Sequence, residues 1–279
     1  MITQALLLSI ALPALTAGSV LLLGWRFGRR DAEPATAWSA APAMGLSFIV
    51  GYVTLIGWPP YPPINATQRL VYEILVGSLI MAVLVWRRAP STLTGIVRLL
   101  FSLALPWLIL RPNIEHRWST TQDVLWVAGL GTLTFLYGVA LDAAARRNRG
   151  AVAPGLALLA WTGLALVLVL SGSALLAQLA GACAAALGAS MLVGLFQPRL
   201  QWAPAGTAIL GWIWVGLSIN AAFYAEGSPY ALLLVAAAGL AGMTSRHFAP
   251  GAPVLRRLLA SAGFTVVLAG AAVVLAWRT

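Results

Sequence analysis

Lysine is absent from this chain, and only seven of its 279 residues are acidic. Charged side chains make up 9% of the sequence, against about 25% in an ordinary soluble domain. A surface with so few charges could not be wetted by water, which excludes a soluble globular domain. A hydrophobic content of 61% and a mean hydropathy of +0.90 exclude a disordered chain. The one cysteine, Cys183, cannot close an intrachain disulfide, and its setting Gly181-Ala182-Cys183-Ala184 reads as small residues packed between helices. His116 and His247 have no second histidine or cysteine at ligand spacing, so no metal site is expected. No zinc-protease helix, serine-nucleophile elbow or phosphate-binding loop is present, so neither an enzyme nor a cofactor is expected.

What the chain does have is long apolar runs. A membrane-crossing helix needs about 20 mostly apolar residues in succession, and ten candidate spans are found, at 5–24, 37–57, 70–86, 94–110, 123–141, 151–170, 174–196, 204–224, 229–243 and 258–277. The expected fold is an all-α polytopic membrane protein, one integral membrane domain over 1–279 with transmembrane helices in up-down hairpins. The break at Ser171-Gly172-Ser173 is the least marked of the loops.

The arginines give an independent reading of topology. With the N-terminus outside, the cytoplasmic side holds 13 of them: Arg26, Arg29, Arg30, Arg87, Arg88, Arg98, Arg146, Arg147, Arg149, Arg199, Arg246, Arg256 and Arg257. The outer side holds Arg69, Arg111, Arg117 and Arg278. This bias predicts N-out, C-out and an even number of spans. The clusters lie between apolar runs, as topology signals do, so the basic charge predicts a lipid bilayer and not nucleic acid as partner. Arginine without lysine, with abundant alanine, points to a GC-rich genome; the expected location is a bacterial inner membrane. Met1-Ile2-Thr3-Gln4 carries no basic side chain, so the first span is read as retained and not as a signal peptide.

Trp25, Trp38, Trp58, Trp86, Trp107, Trp118, Trp126, Trp202 and Trp277 fall near span ends, where an indole can bury its ring and wet its N–H. Trp161, Trp212 and Trp214 lie deeper and should pack between helices. Thr67-Gln68 and Thr121-Gln122 recur 54 positions apart, each opening a helix, with the threonines as plausible N-caps and Ser173 and Ser228 at similar later places. The spacing predicts either parallel helix-hairpin repeats or simply two spans and two loops per period. Small residues at 180, 181, 184, 185, 188 and 189, in the ninth span at 236, 237, 239, 241 and 242, and in the tenth at 262, 263, 269, 270 and 271 should face neighbouring helices. On that reading Gly188→Leu should disrupt packing. Pro13 and Pro106 should kink their spans.

Ionisable residues inside a membrane are functional candidates. Glu73 is the one acid placed within a span, with Arg69 one turn earlier as a local ion-pair partner. Arg98, near the inner end of the fourth span, is expected to snorkel to the headgroups. Gln178 and Asn220 are deeper amides suited to interhelical hydrogen bonds or substrate contact. The loop Trp58-Pro59-Pro60-Tyr61-Pro62-Pro63 is stiff and aromatic, an outer connector or docking surface. These features predict a small secondary transporter or permease for a small-molecule solute. The alternative is a non-catalytic membrane subunit that scaffolds other membrane proteins.

Overall fold

The computed structural model describes residues 2–27, 37–244 and 254–278. Arg29, Arg30, Asp31, Glu33, Arg246 and His247 lie outside the described residues, as do the side chains of Arg256, Arg257, Ala262 and Arg278. The described residues form helices and connecting turns without a strand. In chain order these are α1 (Ile2–Phe27), α2 (Ala40–Ile56), α3 (Ala66–Trp86), α4 (Ser91–His116), α5 (Thr120–Arg147), α6 (Val152–Leu170), α7 (Ala174–Phe196), α8 (Ala205–Tyr224), α9 (Pro229–Thr244) and α10 (Val254–Arg278).

Among the described residues, seven helical stretches are long and apolar enough to cross a membrane: Leu7–Phe27, Ala66–Trp86, Ser91–His116, Thr120–Arg147, Val152–Leu170, Ala174–Phe196 and Ala205–Tyr224. Leu7, Leu15, Leu125, Leu136 and Val169 point outward from them, as lipid-facing side chains do. The protein is an integral membrane protein. Ala40–Ile56 and Pro229–Met243 are shorter apolar helices. At 1.5 Å per residue a 17-residue helix such as α2 spans about 25 Å, a little less than the ~30 Å hydrocarbon layer. Most of α2 is buried against α1, α3, α7 and α8.

α8 is the hub. It packs on α2, α3, α4, α5, α7 and α9, and nearly all its residues are buried. Such a helix is apolar all round, so sequence periodicity says nothing about which side meets which neighbour.

The helix starts explain the recurring Thr-Gln pairs. Asn65 and Ser119, not Thr67 and Thr121, are the N-caps of α3 and α5. Gln68 and Gln122 reach back to the cap amides, completing a capping box at both ends. The caps stand 54 positions apart, like the threonines. Their onward packing differs: α3 lies on α2, α4 and α8, while α5 lies on α4, α8 and α9. Ser173 does cap α7, accepting from the Leu176 amide.

The small-residue stripes are partly out of phase with the sequence expectation. On α7, Ala180 and Ala184 are buried, but Gly181 and Gly188 face open space or loose contact, and the tight side runs through Ala182, Ala186 and Ser190. A Cβ on Gly51 of α2 would lie 2.8 Å from that of Ala182. On α9, Gly239 is buried against Ala160, whereas Ala237 is exposed. On α10, Gly263, Gly270 and Ala271 are exposed, and Thr265, Ala269 and Ala272 face inward. Trp161, Trp212 and Trp214 are buried as expected. Trp202 is a correction: it is only 2% exposed and its indole N–H has no partner, because its ring packs against Gly206 at the start of α8.

Candidate functional site

Polar and ionisable side chains gather along α8 where it meets α3, α4 and α5. Thr207 and Asn220 mark the two ends, about 20 Å apart along the helix axis.

At one end, Arg98 of α4 donates from Nη1 to Asp142 Oδ2 of α5 at 2.9 Å. Both residues are buried. Thr207 donates to the other carboxylate oxygen, and Arg146 lies 3.4 Å from Oδ2. Arg98 therefore does not snorkel; a carboxylate on the adjacent helix is a better partner than distant headgroups. Its second terminal nitrogen, Nη2, is buried without a partner. Gly138, one turn before Asp142, makes room for the guanidinium: a Cβ there would sit 3.2 Å from Nη2.

In the middle, Trp212 donates from Nε1 to Ser102 Oγ at 3.2 Å and stacks on Phe101 with ring centroids 4.9 Å apart. Gly77 of α3 lets the indole approach, since a Cβ would meet the ring at 2.6 Å.

At the other end stands Glu73. It is 6% exposed, and neither carboxyl oxygen has a hydrogen-bond partner. Leu70 and Gly77, a turn to either side, pack against Gly216 and Trp212 of α8, so Glu73 lies on the α8-facing stretch of α3. The expected ion pair with Arg69 is not formed. Arg69 instead donates from Nη1 to the carbonyl of Leu108 at 3.0 Å. Pro112, inside α4, has no N–H to bond that carbonyl, so the helix offers it to the guanidinium. One residue on, Tyr224 of α8 donates to the Ile109 carbonyl at 3.0 Å. Thr67 donates to Asn220 Oδ1 at 3.3 Å, and Asn220 Nδ2 to the Gly216 carbonyl at 2.8 Å. Asn220 is thus an interhelical tie. Gln178 is half-buried on α7, which supplies none of these hydrogen bonds.

The proline-rich loop of residues 58–63 is held to α3 by Tyr72, which donates to the Pro59 carbonyl at 2.9 Å and meets the Tyr61 ring edge-on. Pro59 is buried, whereas Trp58, Pro60, Tyr61 and Pro62 are exposed and Pro63 is half-buried. In the last turns of α4, Arg111 bonds Glu115 at 2.6 Å, both side chains exposed.

The structure therefore joins Arg69, Glu73 and Asn220 on one end of α8 and Arg98 on the other. Asp142 and Thr207 were not anticipated. Asp142 reads as loop because it precedes an arginine cluster. The available signal was depth: Arg98 and Asp142 lie near the same ends of two consecutive, antiparallel helices. A cavity of about 20 Å³, room for roughly one water, lies beside this end among Tyr137, Trp161, Trp202, Thr207 and Trp214. It is apolar, and none of the five anticipated residues lines it.

Comparison with protein families, curated proteins and solved structures finds no match to this chain.

Proposed function

We propose that the protein is a small secondary transporter, or permease, in a bacterial inner membrane, whose path for a small solute follows the polar seam of α8, here in a closed conformation. In this reading the chain crosses the bilayer ten times, N-out and C-out, and needs no catalytic step. The observation that carries it is Glu73: a buried carboxyl without a partner is expensive in hydrocarbon, and a purely structural helix would do better with leucine. The second support is the Arg98–Asp142–Thr207 cluster at the far end of the same helix. Trp212 and Phe101 close the stretch between them.

The test is solvent access, which needs no known solute. In a Cys183→Ala background, Ser102→Cys is placed in the seam and Ala186→Cys in the packed face of α7. A membrane-impermeant maleimide is then added from either side. The reading expects slow labelling of Ser102→Cys from each side, with a rate that changes about 10-fold when Glu73→Gln is added. Ser102→Cys as inert as Ala186→Cys under all conditions removes the transporter.

A second reading, a scaffolding subunit, draws on the exposed Trp58, Tyr61 and Ile64 of the outer loop. It expects a photo-crosslinker at Tyr61 to join one defined membrane protein, and lipid adducts alone count against it.

A further inference from the structure

Glu73 sits where three helices meet. One turn before it, Arg69 reaches α4 at the Leu108 carbonyl. One turn after it, a Cβ on Gly77 would lie 2.6 Å from Trp212 of α8 and 3.3 Å from Phe101 of α4. Between these contacts, neither the α4 stretch 101–108 nor the α8 stretch 212–220 holds a titratable side chain. Their polar side chains are turned to other tasks. Ser102 accepts from Trp212, Asn220 is tied to Thr67 and the Gly216 carbonyl, and Ser218 Oγ bonds nothing.

The helices packed on α3 are α2, α4 and α8. α2 brings one titratable side chain, the buried Tyr52. α8 brings Tyr224, which donates to the Ile109 carbonyl. α4 brings Arg98, bonded to Asp142, then Arg111 and Glu115, bonded to each other, and the exposed His116. On α3 itself Arg69 and Tyr72 donate to backbone carbonyls. None of these groups hydrogen-bonds Glu73. A metal cation needs several ligands, and no cluster of carboxylates, histidines or cysteines that could hold one exists among the described residues. A proton needs a single lone pair. Asp142, the other buried acid of the seam, has its oxygens taken by Arg98 and Thr207.

We infer that the coupling ion is the proton and that Glu73, at the junction of α3, α4 and α8, carries it; this rests on the transport reading above. Water on one side of the membrane gives up a proton, and an O–H bond forms at one carboxyl oxygen. The neutral acid is then buried in the closed seam. When that O–H bond breaks, the proton passes to water, and a bare carboxylate without donors is too costly to leave in a dry junction. Deprotonation therefore opens the seam, and protonation closes it.

Two measurements on the full chain in liposomes test this. The first uses dicyclohexylcarbodiimide, an apolar reagent: a protonated carboxyl adds across one of its C=N bonds and rearranges to a stable N-acylurea, with nothing lost. Peptide mass mapping should find the adduct at Glu73 and not at the exposed Glu115, weakening in alkaline buffer. No adduct at Glu73, or equal labelling of Glu115, overturns the proposal. The second reads the coupling. In the Cys183→Ala background, maleimide labelling of Ser102→Cys is compared with and without Glu73→Gln, in acidic and alkaline buffer, with sodium or choline as the cation. The ratio of the two rates cancels the thiol's own titration. The amide imitates the neutral acid, so the rates should agree in acid and diverge about 10-fold in alkali, with or without sodium. Glu73→Asp should retain the divergence. A ratio that ignores pH, or that follows sodium, overturns the proton and leaves the transport reading standing. Ser102→Cys as inert as Ala186→Cys throughout removes both. If Glu73→Gln does not fold, Glu73→Leu takes its place as the neutral partner.

Discussion

Arg69 bonds the carbonyl of Leu108 because Pro112, four residues further along α4, has no N–H to offer it. A guanidinium drawn from α3 takes the place of a helical hydrogen bond, which couples the two helices at the end of the bundle where Glu73 is buried. Arg69→Met should cost about 1 kcal/mol or somewhat more, the penalty for leaving a part-buried acceptor bare. In a Pro112→Ala background the helix recovers its own bond, and the cost should shrink by about 1 kcal/mol or more. Chemical denaturation of the four proteins of this cycle measures the coupling, and strict additivity would refute it.

Glu73→Leu should raise thermal stability. The substitution deletes two unpartnered buried oxygens and fills the same space with hydrocarbon, a change worth about 1–3 kcal/mol. A lower melting temperature in this variant would mean that the carboxyl has a structural partner after all.

The Arg98–Asp142 pair predicts a different pattern. Removing one partner alone, as in Asp142→Leu, strands a buried charge and should cost about 3–5 kcal/mol. Arg98→Leu with Asp142→Leu together should cost less than either single change. Thr207→Val should cost about 1 kcal/mol through the lost hydrogen bond to Asp142. Equilibrium unfolding of the three variants tests the order, and a double variant worse than both singles would break it.

Two glycines of α7 should respond in opposite ways. Gly188 meets nothing closer than Leu158 at 4.0 Å, so Gly188→Ala should be neutral or stabilising by up to about 1 kcal/mol through helix propensity. Gly194→Ala must push the start of α6 aside and should cost about 1–3 kcal/mol. Melting temperatures compared side by side decide it; equal effects would argue against close approach at Gly194.

The stripe on α7 shows where sequence reasoning lost its footing. Spacing of small residues identified the right helices but only part of each packed face, since alanine and glycine occur all round α7 and carry no phase. Arg69 shows a second kind of loss. Its nearest acid in sequence is Glu73, one turn away, yet its partner is a carbonyl 39 residues on. The proline that frees this carbonyl lay beyond the expected end of the fourth span.

Hydropathy is a sum over neighbouring residues, so the chain alone dictated that hydrocarbon surrounds it and roughly where its helices lie. Capping signals act within a turn or two, so the starts of α3 and α5 were legible to within two residues, though the caps are Asn65 and Ser119 and not the threonines. Which buried groups would meet depended on the rotation and depth of helices far apart in sequence. Only packing around α8 decided that Arg98 would face Asp142 and that Glu73 would face no partner at all.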